Sequence, residues 1–126
     1  MGYRSDVKLV FYTRTADAVP YAALKFWFDE NYPVKDAEYE WGAKIETDDQ
    51  NWVMVSYEDV KWYDGYNHPA AVRAAIDRFT ETFDANDTDN VAWEMIRIGE
   101  DLGDIEHSYS EYCDWRLNVG RAIHFN

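Results

Sequence analysis

The chain has 126 residues, the size of one domain, and 47% of them are apolar and 17% aromatic. That content excludes disorder of the whole chain, despite a formal charge of −13 from 25 acids against 12 bases. Such a charge repels nucleic-acid phosphates and anionic membranes, so direct binding to either is not expected, and it attracts cations and basic proteins.

The opening Met1–Asp6 lacks the apolar run of a signal peptide, and no segment has the length needed to span a bilayer. Asp6 occupies the position where an N-myristoylation signal wants Ser or Thr, which argues against that reading of Met1-Gly2. The one cysteine, Cys113, cannot form an intrachain disulfide. A cytoplasmic protein is expected.

In chain order, Val7 to Thr13 reads as a strand with Val7, Leu9 and Phe11 on one face. After a turn at 16–19, Pro20 opens a helix that runs to Tyr32 and stops at Pro33, with Leu24, Trp27 and Phe28 on one side. Tyr39, Trp41, Ala43 and Ile45 alternate with Glu38, Glu40, Lys44 and Glu46, the clearest strand pattern in the chain. The polar cluster Asp48–Asn51 is a turn and Trp52 to Tyr57 a second strand, so 38–57 reads as a hairpin. An aromatic loop follows, Trp62-Tyr63-Asp64-Gly65-Tyr66. A helix then opens at Asn67-His68-Pro69, with Val72, Ile76, Phe79 and Phe83 as its core stripe. Asp84 to Asn90 is a polar linker, Ala92 to Ile98 a strand, and Gly99 to Ser110 an acidic loop. Asp114 to Phe125 reads as a last strand with a bulge at Gly120. The expectation is a single α+β domain over residues 1–126. Two helices lie on one face of an antiparallel sheet, ferredoxin-like βαββαβ plus a C-terminal strand.

Candidate sites are few. The loop Glu100-Asp101-Leu102-Gly103-Asp104-Ile105-Glu106 offers carboxylates to a divalent cation, but its spacing matches no calcium loop. Asp84–Asn90 comes closer, yet Asp89 stands where a calcium loop turns on Gly and Met95 where it needs Glu. His68, His107 and His124 are far apart and none has a ligand partner one helical turn away, so no zinc site is expected. Cys113 has no local motif of a nucleophile and reads as an inert thiol. Loop 62–66, with Trp62, Tyr63, Asp64 and Tyr66, is either a recognition surface or a cap on the core. No catalytic residue, cofactor or metal site is assigned, and no enzyme is expected.

The charge is the strongest functional signal. Glu38, Glu40 and Glu46, spaced along one strand face, would form a rigid anionic row of the kind that competes with DNA or RNA for a basic channel. Asp48 and Asp49 extend it, and Glu100, Asp101, Asp104 and Glu106 form a second set.

Three strings, Met1-Gly2-Tyr3-Arg4-Ser5-Asp6-Val7, Glu58-Asp59-Val60-Lys61-Trp62-Tyr63-Asp64-Gly65-Tyr66, and Ile96-Arg97-Ile98-Gly99-Glu100-Asp101 with Asp104-Ile105-Glu106, spread over residues 1–106, resemble a group of small uncharacterised proteins of tailed bacteriophages. They transfer no chemistry to any residue. The resemblance implies a phage accessory protein in the cytoplasm of the bacterial host. By analogy of origin and charge, that suggests a non-enzymatic inhibitor of a basic, nucleic-acid-handling host defence protein, of anti-CRISPR or anti-restriction type and acting as a nucleic-acid mimic. Two alternatives are a small-ligand or divalent-metal-binding protein using loops 100–106 and 62–66, and a phage structural or assembly protein that self-associates through exposed rings.

Overall fold

The computed structural model describes residues 3–14, 18–63, 66–83, 91–101, 103–110, 117–119 and 123–125. Asp64, Gly65, the linker Asp84–Asn90, Leu102, Cys113 and Gly120, on which some of the expectations above fall, lie outside them, as does the side chain of His124.

Alternating apolar residues build the centre. Strand β1 (Arg4–Thr13) pairs antiparallel with β3 (Trp52–Lys61) on one side and β4 (Val91–Gly99) on the other. Strand β2 (Lys44–Thr47) adds to β3, and β5 (Ile105–Tyr109) adds to β4, giving the order β2-β3-β1-β4-β5. With helices α1 (Ala18–Asn31) and α3 (Asn67–Phe83) as the two crossovers, the first four strands have the ferredoxin-like arrangement expected from the element order, in an α+β fold. Among the described residues no helix is long and apolar enough to cross a membrane.

The pleat divides the core into two layers. Val7, Leu9 and Phe11 of β1 and Val53, Val55 and Tyr57 of β3 face the helices, where they meet Leu24, Trp27 and Phe28 of α1 and Val72, Ala75 and Phe79 of α3. Phe11 stands 5.2 Å from Trp27 and 5.3 Å from Phe79, ring centre to ring centre. The Tyr32 and Tyr57 hydroxyls bond at 2.9 Å and tie the end of α1 to β3, and burial pushes the Tyr57 hydroxyl up to about 12. The α3 stripe follows the sequence reading, with Val72 and Phe79 buried and Ile76 and Phe83 packed at the margin.

Three expectations are corrected. First, residues 38–43 are not strand. Val34–Tyr39 forms a third, short helix, α2, and β2 begins only at Lys44. Pro33 starts the helix, Ala37 is wholly buried against the core, and Gly42, at φ +70°, turns the chain so that the Ala43 N–H reaches the Ala37 carbonyl. The alternation at 39–45 therefore marks one buried helical residue and a turn rather than a pleat.

Second, the acidic loop is half strand. Glu100, Asp101, Gly103 and Asp104 lie outside the strands, and β5 takes Ile105 to Tyr109 at the sheet edge. Third, the C-terminal segment is not one strand of the main sheet. Its β6 (Leu117–Val119) and β7 (Ile123–Phe125) form a separate hairpin. Leu117 and Ile123 pack on Val10, Tyr12, Met54, Ala92 and Ile96, the sheet face opposite the helices. The sheet is thus covered on both sides, which explains why β1 is buried without interruption from Leu9 to Thr13.

Asp48 organises the β2–β3 turn, its Oδ1 accepting the N–H groups of Gln50, Asn51 and Trp52 at 2.9, 2.7 and 3.1 Å. Burial pushes the carboxyl up, but these donors outweigh it and hold it below the ordinary carboxylate range. Asp48→Ala is expected to lower unfolding stability by about 1 kcal/mol in a urea titration.

Candidate functional site

The strand directions bring distant segments to one end of the molecule. Arg4 of β1 pairs with Lys61 of β3, and Ser5 with Gly99 of β4, so the start of β1 and the ends of β3 and β4 share that end. Loop 62–66 leaves β3 there, and the acidic turn 99–104 leaves β4 beside it.

A continuous series of contacts crosses this end. Trp41, just after α2, lies 6.1 Å from His68, whose ring meets Trp62 at 5.3 Å and Tyr66 at 5.9 Å. His68 is fixed at the start of α3 by a 2.7 Å bond between Nε2 and the Lys61 carbonyl. Tyr66 packs edge-on against Tyr63 at 5.3 Å, and the Tyr63 hydroxyl accepts the Tyr3 backbone N–H. The Tyr3 hydroxyl then donates to Asp104 Oδ2 at 2.5 Å and accepts the Asp101 N–H at 2.8 Å. The aromatic loop and the acidic turn are therefore one structure, joined through Tyr3.

Carboxylates flank this series. Glu38 and Glu40 are exposed at the end of α2, on either side of Tyr39, which is 86% exposed. Glu58 and Asp59 lie near the end of β3, and Asp59, at φ +51°, sits opposite the irregularity between Ser5 and Val7. Asp6 Oδ1 accepts the Asp59 N–H at 2.8 Å, while Arg4 Nη1 donates to the Asp59 carbonyl at 2.9 Å. Glu100 accepts the Arg4 N–H at 2.7 Å, and Asp101 is exposed.

Arg97 is the hub beneath the turn. Its side chain is 9% exposed. Nη1 donates to Ser5 Oγ at 3.1 Å, Nη2 to Asp104 Oδ1 at 2.8 Å, and Nε to Glu106 Oε1 at 2.9 Å. The guanidinium, followed by the Tyr3 hydroxyl, holds the Asp104 carboxyl below its ordinary value. Gly99 permits this packing, because a Cβ there would collide with Asp104 Oδ2 and the Tyr3 hydroxyl. Gly99→Ala is expected to push Asp104 off Arg97 and to cost about 1–2 kcal/mol, read as a lowered melting temperature with loss of amide protection at Asp101 and Asp104.

The two acid sets of the sequence reading are thereby redistributed. Glu38 and Glu40 sit at the same end as Glu100, Asp101, Asp104 and Glu106. Glu46 lies on β2, where it pairs with Lys44 at 3.1 Å, and Asp48 and Asp49 lie at the opposite end in the β2–β3 turn. The rigid row of Glu38, Glu40 and Glu46 along one strand does not exist, since Glu38 belongs to α2 and Glu40 caps it. Both carboxylate oxygens of Asp104 and one of Glu106 are engaged by Arg97. Among the described residues, no group of three or more His, Cys, Asp or Glu side chains is placed to hold a metal ion.

Beside this end a groove of about 300 Å³ runs between α3 and the β4–β5 edge. Trp62, Val72, Ile76, Trp93 and Met95 supply its apolar lining, and Arg73, Asp77, Glu106 and Ser108 its polar rim. It joins a residue of the aromatic loop to the last residue of the 100–106 segment.

Sequence reasoning passed over Glu94. It lies in β4 with no exposure, its Oε1 accepting the Leu117 N–H at 3.0 Å and its Oε2 meeting His107 Nε2 at 2.6 Å. The signal was present: an acid inside the apolar run Val91-Ala92-Trp93-Glu94-Met95-Ile96 must find partners. No family model matches the chain, and comparison with curated proteins and with solved structures finds no match.

Proposed function

We propose that the chain is a non-enzymatic binding protein whose acidic, aromatic end occupies the cationic surface of a basic, nucleic-acid-handling partner. The resemblance of its three strings to tailed-phage proteins makes that partner a defence protein in the bacterial host's cytoplasm, with the chain as its inhibitor. The observation that carries this reading is the convergence of Glu38, Glu40, Asp6, Glu58, Asp59, Glu100 and Asp101 around the contact series from Trp41 to Asp104. Exposed carboxylates steer a cationic partner, and exposed rings such as Tyr39 and Tyr66 supply the apolar anchors on which interface affinity rests. The carboxylates come from β1, α2, β3 and the segment after β4 rather than from a row along one strand, so the competition with nucleic acid is one of charge and shape.

The test is capture of partners from bacterial lysate by the immobilised chain. Capture should fall steeply with salt and be displaced by duplex DNA. The quadruple substitution Glu38→Gln, Glu40→Gln, Glu100→Gln and Asp101→Asn should abolish it, while Glu46→Gln with Asp49→Asn at the other end should leave it intact. Equal capture by the quadruple variant refutes the proposal. One observation favours a second reading, a small-ligand protein: the groove lined by Trp62 and Glu106 draws together the two loops that the sequence reading assigned to such a site.

A further inference from the structure

The groove between α3 and β5 has walls of unequal character. Its floor is the helix-facing side of β4, with Trp93 and Met95, and Trp62 closes one end. Helices α1 and α3 cover β1 and β3, but over β5 no described helix lies, which leaves Glu106 and Ser108 facing Val72, Ile76 and Asp77 across open space. Its volume of about 300 Å³ is at the small end of ligand sites.

The charges in the groove are not all committed. Arg97 engages Glu106 through Oε1 alone, by both Nε and Nη2, and Oε2 accepts no bond among the described residues. Asp77, exposed on α3, has no hydrogen bond or ion pair among them either. Arg73, one helical turn before Asp77, is already engaged in an interaction of its own. What the groove offers an incoming group is therefore one carboxylate from α3, Asp77, and one from β5, Glu106, with the Trp93 floor and Trp62 as its aromatic surfaces.

We infer that this groove is a subsite for the guanidinium of an arginine side chain carried by the basic partner. A guanidinium is planar, permanently charged and weakly hydrated, and it presents donors on two edges while its faces stack on aromatic rings. Asp77 takes one edge, Glu106 Oε2 the other, and the Trp93 indole on the floor takes a face, with Trp62 at the end of the groove. A lysine ammonium, compact and strongly hydrated, satisfies one carboxylate at a time and stacks poorly. The inference rests on the proposed function and deepens it, by making arginine, rather than positive charge in general, the feature of the partner that is read at this place.

The experiment titrates the isotope-labelled chain with argininamide, and separately with lysinamide and with a ten-residue lysine peptide, following the indole N–H resonances of Trp62 and Trp93 and the backbone amides. Argininamide should shift both indoles saturably, lysinamide should not, and Asp77→Asn, an exposed position on α3, should weaken argininamide about tenfold by removing one charge-assisted pair. If argininamide leaves the indoles unmoved, binds Asp77→Asn as tightly as the parent, or is matched by lysinamide, the groove inference is overturned. The lysine peptide reports separately on the parent reading. Shifts at Glu38–Trp41 and Glu100–Asp104 keep the basic-partner proposal standing when the groove fails, and their absence removes it.

Discussion

Arg97→Met is expected to cost about 2–3 kcal/mol of unfolding free energy and to release the acidic turn from the sheet. The guanidinium is nearly enclosed and serves Ser5, Asp104 and Glu106 at once. A methionine fills much of the same volume but leaves two carboxylates facing each other without a cation. Removing one partner of a fully buried pair costs more than this. Here the carboxylates keep water, with Asp104 33% and Glu106 58% exposed, so screening lowers the penalty.

The pH dependence has a definite sign. Asp104 is depressed in the folded state, chiefly by Arg97. Its contribution is therefore complete above the unfolded carboxyl value of about 4 and is lost as the pH falls through the lower folded value. Wild type and Arg97→Met should differ fully at neutral pH and converge in acid. A difference that persists unchanged once the carboxyls are protonated would show that the cation's role is packing rather than pairing.

Glu94→Ala is expected to cost about 2–4 kcal/mol and to free the C-terminal hairpin. The substitution removes the acceptor of the Leu117 N–H and of the His107 ring, and it opens a cavity beneath Leu117. Val10, Tyr12, Met54 and Ile96 then lose their cover. Hydrogen exchange at Leu117 should rise to the rate of an open segment, and the variant should bind a hydrophobic dye that the parent does not. Glu94→Gln keeps an acceptor and should retain most of the stability. If Glu94→Ala and Glu94→Gln behave alike, the hairpin is held by apolar packing and the carboxylate is incidental.

Much of the fold was legible because periodicity and punctuation agreed. Val7, Leu9 and Phe11 alternate, α3 carries a clean stripe behind Pro69, and the turn at Asp48 has the residue type that caps its own backbone. Reading failed where a short segment satisfied two periods. Tyr39 to Ile45 alternates like a strand, yet Pro33, the buried Ala37 and Gly42 decide for a helix and turn, and tertiary burial outweighs the pattern. At Ile105–Tyr109 every residue but Ser108 is exposed and no apolar alternation marks the segment, as an edge strand permits, and the density of acids before it disguised the strand.

Strands β6 and β7 read in the sequence as a single strand because nothing local announces that Leu117 and Ile123 pack on the back of the sheet. The site was legible only as two separate loops. Their union depends on Tyr3, whose partners Tyr63 and Asp104 lie 60 and 101 residues away, a relation no local pattern contains.

The most direct measurement of the central claim is a map of where a polycation lands. With a ten-residue lysine peptide added at low salt, the backbone amide shifts should concentrate at Arg4–Asp6, Glu38–Trp41, Glu58–Tyr63 and Glu100–Asp104, spare Asp48–Asn51, and vanish as salt is raised. Shifts spread evenly around the molecule, or strongest at the β2–β3 turn, would contradict the existence of one anionic, aromatic binding end.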